Sequence, residues 1–190
     1  MLILAGAIVG GWLGWKAADV GASLYFLNSG IEANGWTYST EWSVAEPPSL
    51  KAAAFAKHAM MANTAEEAVY YFAFEDSGDD KRYVIHFEAD ELPDVNAFWS
   101  LTMYHGFLPY NLVKNPIDRF VISNRTPGIQ FGSDGSLDIY IQNAEPGAEE
   151  RSNWLPAPDG ELMLLLRTYW PGEAISEGRY APPPMTLVED

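Results

Sequence analysis

The distribution of apolar and polar positions divides the chain into regimes of different period. The first fifteen residues, MLILAGAIVGGWLGW, contain no charged side chain, and Lys16 then ends the run. As a helix rising about 1.5 Å per residue, such a run spans roughly 22 Å, short of the roughly 30 Å hydrocarbon core of a bilayer. The span is completed if Lys16 snorkels and the helix continues through AADVGASLYFL, which brings Asp19 near an interface. Gly6, Gly10 and Gly14 recur every fourth residue and line one helical face, where another helix can approach closely. Residues 1–27 are therefore expected to form a membrane anchor or a signal-like helix. A cleaved secretory signal is one alternative, although the basic leading region is missing. A soluble helix is the other, although no polar stripe interrupts the apolar residues. Lys16 alone flanks the segment, so its orientation is weakly marked.

Residues 28–48, NSGIEANGWTYSTEWSVAEPP, mix turn formers with aromatics and read as an extended lead-in closed by Pro47 and Pro48. A body follows over residues 49–190. Ser49 is placed to cap a helix, SLKAAAFAKHAMMAN, with Asn63 as a left-handed stop. Thr64 and Glu67 have capping-box spacing in TAEEAVYY, which predicts a further short helical turn.

From Ala68 onward the period becomes two. The strand-like runs are AVYYFAFE, RYVIHFEA, AFWSLTMY, RFVISN, LDIYIQ and ELMLLLRTYW. In LDIYIQ, for example, Leu137, Ile139 and Ile141 alternate with Asp138, Tyr140 and Gln142. The intervening DSGDD, ELPDV, SDGS and EPGAE are turn sequences. DSGDD reads as a hairpin turn, and the Asp-Gly pair of SDGS suits a tight hairpin. LMLLLR is apolar on both faces and predicts a central strand covered on both sides. Together these runs predict a mainly β domain, an antiparallel sandwich or barrel with a helical lead-in. The APPPM stretch near the C-terminus reads as an extended tail.

Composition narrows the function. The 26 acidic residues outnumber 11 basic ones, giving a net charge of −15, and the basic residues are scattered. A nucleic-acid partner is not expected, because phosphate binding needs a basic stripe. With no cysteine, thiolate metal sites are excluded. No Gly-x-Ser-x-Gly elbow, Ser-x-x-Lys pair or phosphate-binding glycine loop occurs, so none of the corresponding chemistries has support. His58, His86 and His105 lie 28 and 19 residues apart, without short-range ligand spacing, and no metal or other cofactor is expected.

The remaining candidates are individual residues. His105 ends AFWSLTMY and opens a loop, a position open to an acid–base role or to a hydrogen-bonded structural one. Asp118 and Glu145, near loop edges, are the candidate carboxylate pair for glycan hydrolysis. Trp154 and other tryptophans offer flat faces for sugars or fill corners of the sheet. Arg167, inside LLLRTYW, demands partners if buried, and a carboxylate or carbonyl cluster is expected around it. Arg125, in SNRTPG, is freer to reach a ligand, with Tyr104 and His105 as companions at one end of the domain.

AFWSLTMY, NPIDRFVISNRTPG, DGSLDIYIQ, SNWLPAP and LLLRTYWP, in that order, resemble the domain of unknown function 1214 family. The preceding helix, EEAVYYFAFEDS and YVIHFEADELP resemble the segment before its core, so the likeness runs from about Ser49 to Pro184. The resemblance implies a jelly-roll-like β-sandwich. It also implies association with a domain of unknown function 1254 unit, which in other proteins forms the N-terminal half of a longer chain. A separately encoded companion of that kind follows as an expectation. No family catalytic motif carries over onto residues of this chain.

The expectation is thus a membrane-anchored envelope protein of the bacterial inner membrane, with its body in the periplasm, acting as a non-catalytic binding or assembly module. Carbohydrate or a small anion is the expected ligand, through Trp154, Arg125, Tyr104 and Arg167. Hydrolysis of envelope glycan is the alternative.

Overall fold

A computed structural model describes residues 2–41, 63–106 and 111–188. The expected helix over residues 49–63 lies outside the described residues except for Asn63, as do His58 and Trp42. The chain forms two compact units, one made of residues 1–30 and 41–64, the other of residues 31–40 and 65–190.

In the first unit, α1 (Leu2–Asn28) is a single 27-residue helix. Val9, Trp12, Leu13, Trp15, Val20 and Leu24 are each more than half exposed on it. At its end the Asn28 side-chain amide donates to the Leu24 carbonyl at 2.7 Å. The expected helix is present, but among the described residues no helix is long and apolar enough to cross a membrane. Four glycines dilute the apolar run, and Lys16 and Asp19 follow it too soon.

The second unit is mainly β. Its strands are β1 (Ile31–Ala33), β2 (Trp36–Tyr38), β3 (Ala68–Ser77), β4 (Arg82–Phe87), β5 (Val95–His105) and β6 (Asn111–Leu112). They continue as β7 (Val121–Ser123), β8 (Leu137–Gln142), β9 (Trp154–Pro156), β10 (Gly160–Pro171) and β11 (Met185–Leu187), with a helical turn α2 (Glu173–Ser176) before the last. The larger sheet has the order β1-β2-β3-β10-β5-β6, with β7 also on β5, and the smaller has the order β11-β4-β8-β9. Every pairing is antiparallel except β8 with β9.

The inner faces of the two sheets meet in one core. Val69, Tyr71, Leu101, Met103, Leu162, Leu164 and Leu166 come from the larger sheet, and Tyr83, Ile85, Phe87, Leu137, Ile139, Ile141 and Leu155 from the smaller. These are alternate positions along each strand, which is why period two was readable there. The Phe87 and Trp99 rings stack across the gap between the sheets, 6.3 Å apart.

The strand ELMLLLRTYW is central as expected: β10 lies between β3 and β5, with Met163 and Leu165 buried on one face and Leu162, Leu164 and Leu166 on the other. The turn readings need correction. DSGDD makes a tight turn, with the Lys81 amide donating to the Gly78 carbonyl at 3.1 Å, yet β3 and β4 on either side lie in different sheets. SDGS likewise folds locally, Asp134 accepting from the Ser136 amide at 3.1 Å, but β7 and β8 around it are not paired. The chain crosses between sheets at these turns, a choice set by which face each strand can bury rather than by turn chemistry. The helical turn expected in TAEEAVYY is a non-helical turn over residues 65–67 leading directly into β3. The lead-in holds a true hairpin, β1 to β2, whose Asn34 and Gly35 have φ of 54° and 78°, as an Asn-Gly turn requires. The proline-rich tail ends in β11, paired with β4.

Candidate functional site

The residues of β10 between its core positions define the opposite face of the larger sheet, because successive side chains point to opposite sides. Cross-strand register arranges this outer face in rows. Ser123, Ser100, Arg167 and Tyr70 form one row, and Val121, Thr102, Leu165 and Phe72 the next. Leu112, Tyr104, Met163 and Phe74 form a third, and Phe98 and Tyr169 pair on the far side of Arg167. The centre of the face is buried, with Met163 0%, Phe72 2% and Leu165 5% exposed, whereas Phe98 and Tyr169 are half-buried and Arg125 is exposed.

Arg167 is held by neutral groups. Its Nη1 donates to Thr102 Oγ1 and its Nη2 to Tyr104 Oη, each at 2.8 Å. Its guanidinium carbon lies 5.8 Å from the Tyr104 ring centre. The expected carboxylate or carbonyl cluster is not what surrounds it among the described residues, because the register sets hydroxyl-bearing, aromatic and aliphatic side chains around this position. Beside it runs an aromatic series: Phe98 stacks on Tyr169 at 4.6 Å, and Tyr70 meets Tyr169 edge-on at 6.3 Å. The Arg125 guanidinium closes the series, 4.6 Å over the Phe98 ring, while its Nη2 donates to the Ala97 carbonyl at 2.9 Å.

The basic residues are distributed unevenly in their partners. Arg82 pairs with Glu150, Arg151 with Glu145 and Arg179 with Glu177. Among the described residues, neither Arg125 nor Arg167 is in a salt bridge. Tyr70 is pushed up to about 12, first by burial and then by Tyr169, so its hydroxyl stays protonated at neutral pH.

Trp170 follows Tyr169 in sequence. The β10 to β5 register slips between Tyr169 and Pro171, and Trp170 occupies that bulge with φ of 50°. Its amide donates to the Glu67 carbonyl at 2.8 Å, and its carbonyl accepts from Asn96 Nδ2 at 3.2 Å. A bulky residue in the left-handed region costs on the order of 1 kcal/mol. Its side chain is nonetheless 64% exposed.

The other candidates lie elsewhere. His105 is exposed at the end of β5, opposite Leu162 and Asn111, and alternation sends it to the face opposite Tyr104. Asp118 is exposed in a tight turn with φ of 49°, and Glu145 is exposed and bridged to Arg151 at 2.9 Å. A glycosidic acid sits in an apolar shelter, whereas both of these carboxyls are exposed to solvent. A cavity of about 410 Å³ is lined instead by Phe74, Glu75, Asp76, Gly106, Glu161 and Leu162.

Trp154 is 1% exposed, and its Nε1 donates to the Gln142 carbonyl at 2.9 Å. It is a corner plug, and the stacking role considered for it is corrected, since neither face of the ring reaches solvent. The residue that organises its loop, Arg119, was not among the candidates. Its Nη1 donates to the carbonyls of Arg151, Ser152 and Trp154. Nothing local in NPIDRF signals that role, because the three acceptors lie more than 30 residues away in sequence. Phe98 and Tyr169 were legible only as strand residues.

Comparison with known proteins accords with this fold. Residues 67–173 match the family model described as Protein of unknown function (DUF1214). The crystal structure of the VPA0106 protein from Vibrio parahaemolyticus is similar, with a TM-score of 0.64 and 24% identity over 98% of this chain and 45% of that one. A putative uncharacterised protein from Burkholderia cenocepacia is similar at a TM-score of 0.50 and 15% identity, over 68% of this chain and 31% of that one. This chain thus spans less than half the length of either. None of the curated proteins matches it.

Proposed function

The chain belongs to the DUF1214 family, and from that premise we propose that it is a non-catalytic binding or assembly module, with the exposed Arg125 beside the larger sheet's outer face as part of its binding surface. One observation carries the reading. In a chain of net charge −15, Arg125 and Arg167 sit on that face among aromatics and are held by neutral groups while three other arginines pair with carboxylates. The side chains around them, hydroxyls, aromatic rings and guanidinium groups, suit recognition better than proton transfer. No observation favours the alternative of glycan hydrolysis by Asp118 and Glu145.

The companion is a separately encoded domain of unknown function 1254 protein, the association that the family resemblance implies. Residues 1–27 hold the module at the bacterial inner membrane, with the body in the periplasm. The support for this is the charge-free run before Lys16 and the exposed Trp12, Leu13 and Trp15 of α1, a helix without a polar stripe. We read the two sheets as a jelly-roll-like sandwich. Sedimentation of the full chain with and without the companion tests the assembly. A faster-sedimenting complex is expected, and two independent boundaries at micromolar concentration refute it.

A further inference from the structure

We infer that the cavity where β10 begins takes a linear polyamine, a chain of ammonium groups joined by short methylene spacers. This goes beyond the binding reading above, since Ala97, which holds Arg125, and Gly106, which lines the cavity, stand at opposite ends of β5. The cavity, of about 410 Å³, is lined by Phe74, Glu75, Asp76, Gly106, Glu161 and Leu162. Three strands build it. The β3 to β10 register sets Asp76 directly opposite Glu161 and Phe74 opposite Met163, so alternation puts Phe74, Asp76 and Glu161 on one face. Just past β5, Gly106 donates its amide to the Glu161 carbonyl at 3.0 Å. Its φ of 62° suits glycine, and a side chain there would begin 3.5 Å from Glu161 Oε2. The missing side chain leaves the Glu161 carboxylate beside bare backbone.

The cationic character follows from carboxylates that lack a counter-charge. Like charges directly opposite in an antiparallel pair repel. Asp76 and Glu161 stand so, with Glu75 lining the same cavity, and none of the three enters a salt bridge among the described residues. Glu145, Glu150 and Glu177, by contrast, each hold an arginine. The field of the cavity acids reaches Tyr83, whose pKa is raised by burial first and then by Glu75, Asp76 and Asp80. At longer range the net charge of −15 draws cations toward the molecule. The methylene spacers follow from the wall, where Phe74 leaves 43% of its surface exposed. A point cation is poorly served, because among the described residues no group of three or more His, Cys, Asp or Glu side chains could hold a metal ion. Carboxylates set around an apolar wall in a concavity of this size suit a cation that is itself extended, with charge at intervals and hydrocarbon between.

Titration calorimetry on the full chain, in a neutral detergent at fixed ionic strength, tests this with spermidine, putrescine, butylamine and magnesium chloride. Spermidine is expected to bind about tenfold or more tighter than butylamine and magnesium, with putrescine between them. Asp76→Asn and Glu161→Gln should each weaken spermidine binding about fivefold, and Glu173→Gln, past the far end of β10, not at all. Because each removes a like-charge repulsion, Asp76→Asn and Glu161→Gln should unfold at or above the parent's midpoint, which separates lost contact from misfolding. The inference is overturned if magnesium or butylamine binds as well as spermidine, or if neither polyamine binds. It is equally overturned if either folded cavity variant binds spermidine like the parent, or if Glu173→Gln weakens binding as much as they do. Each of those results leaves the Arg125 surface and a complex with the companion standing, so the two readings fail separately.

Discussion

Nη1 of Arg119 lies 2.9 Å from the carbonyl oxygen of Trp154 and reaches the carbonyls of Arg151 and Ser152 at 2.8 and 2.9 Å. One charged nitrogen thus gathers three carbonyls of a single turn and fixes the loop that delivers Trp154 into its slot. Burial, and then the neighbouring charge of Arg151, hold the Arg119 guanidinium below its usual pKa. Charged hydrogen bonds to part-buried carbonyls make Arg119→Ala cost about 2–3 kcal/mol, a fall of roughly 5–10 °C in Tm. Because a single nitrogen serves all three acceptors, Arg119→Lys should recover part of the loss and Arg119→Met none. Thermal unfolding of the three variants checks the order.

Asn153, 5% exposed, is the second fixed point of that loop. Its Nδ2 donates to the Gln130 and Asp138 carbonyls at 2.7 and 2.9 Å, and its Oδ1 accepts from the Gln130 amide at 2.9 Å. Asn153→Ala leaves buried groups unpaired and should cost about 2–4 kcal/mol, and Asn153→Asp, which brings a charge against two carbonyls, should cost at least as much. Urea midpoints of the two variants decide this, and a loss below that of an ordinary surface change would show that the network is dispensable.

Trp170→Gly relieves the left-handed conformation and should raise stability by up to about 1 kcal/mol, less the entropy glycine adds to the unfolded chain. Thermal unfolding of the variant checks the sign, and a clear fall in Tm would show that the conformation carries no strain.

His86 Nδ1 lies 2.6 Å from an Asp138 carboxylate oxygen, with Glu88 3.4 Å from Nε2. The hydrogen bond to Asp138 raises the His86 pKa above its ordinary value, against a smaller opposing effect of burial. A group with a raised folded pKa contributes stability that is fully present below the unfolded value of about 6.5 and is lost as pH climbs through the folded value. Since the pair is exposed and screened, its share should be below about 1 kcal/mol. His86→Asn should flatten the parent's stability profile as pH rises above about 6.5, and salt should shrink the difference between them.

The fold was legible where burial on one face imposes a period. Alternation in LDIYIQ placed Leu137, Ile139 and Ile141 in the core, and the two-sided apolarity of LMLLLR placed β10 at the centre of its sheet. Pairing was not legible. DSGDD and SDGS carry sound turn chemistry, but a turn specifies only its own few residues, and the strands beside it go to whichever sheet accepts their apolar face. The Asn34-Gly35 hairpin is the converse case, a strong local signal hidden in a segment read as lead-in. Among the candidate residues, Arg167 was found for a sound reason, the cost of an unpartnered buried guanidinium. Its partners proved to be Thr102 and Tyr104, which the β5 register supplies and sequence spacing does not encode.

By itself the sequence determined the mainly β class, the positions of the long strands, the family and the absence of several catalytic motifs, because these depend on periodicity and short-range patterns. Only the tertiary structure decided that Trp154 is enclosed and Trp170 displayed, that Arg119 bonds three backbone carbonyls while Arg167 bonds two hydroxyls, and that Asp118 and Glu145 sit exposed. Each of those outcomes depends on which residues of distant strands stand opposite one another, and cross-strand register is a property of the assembled sheet.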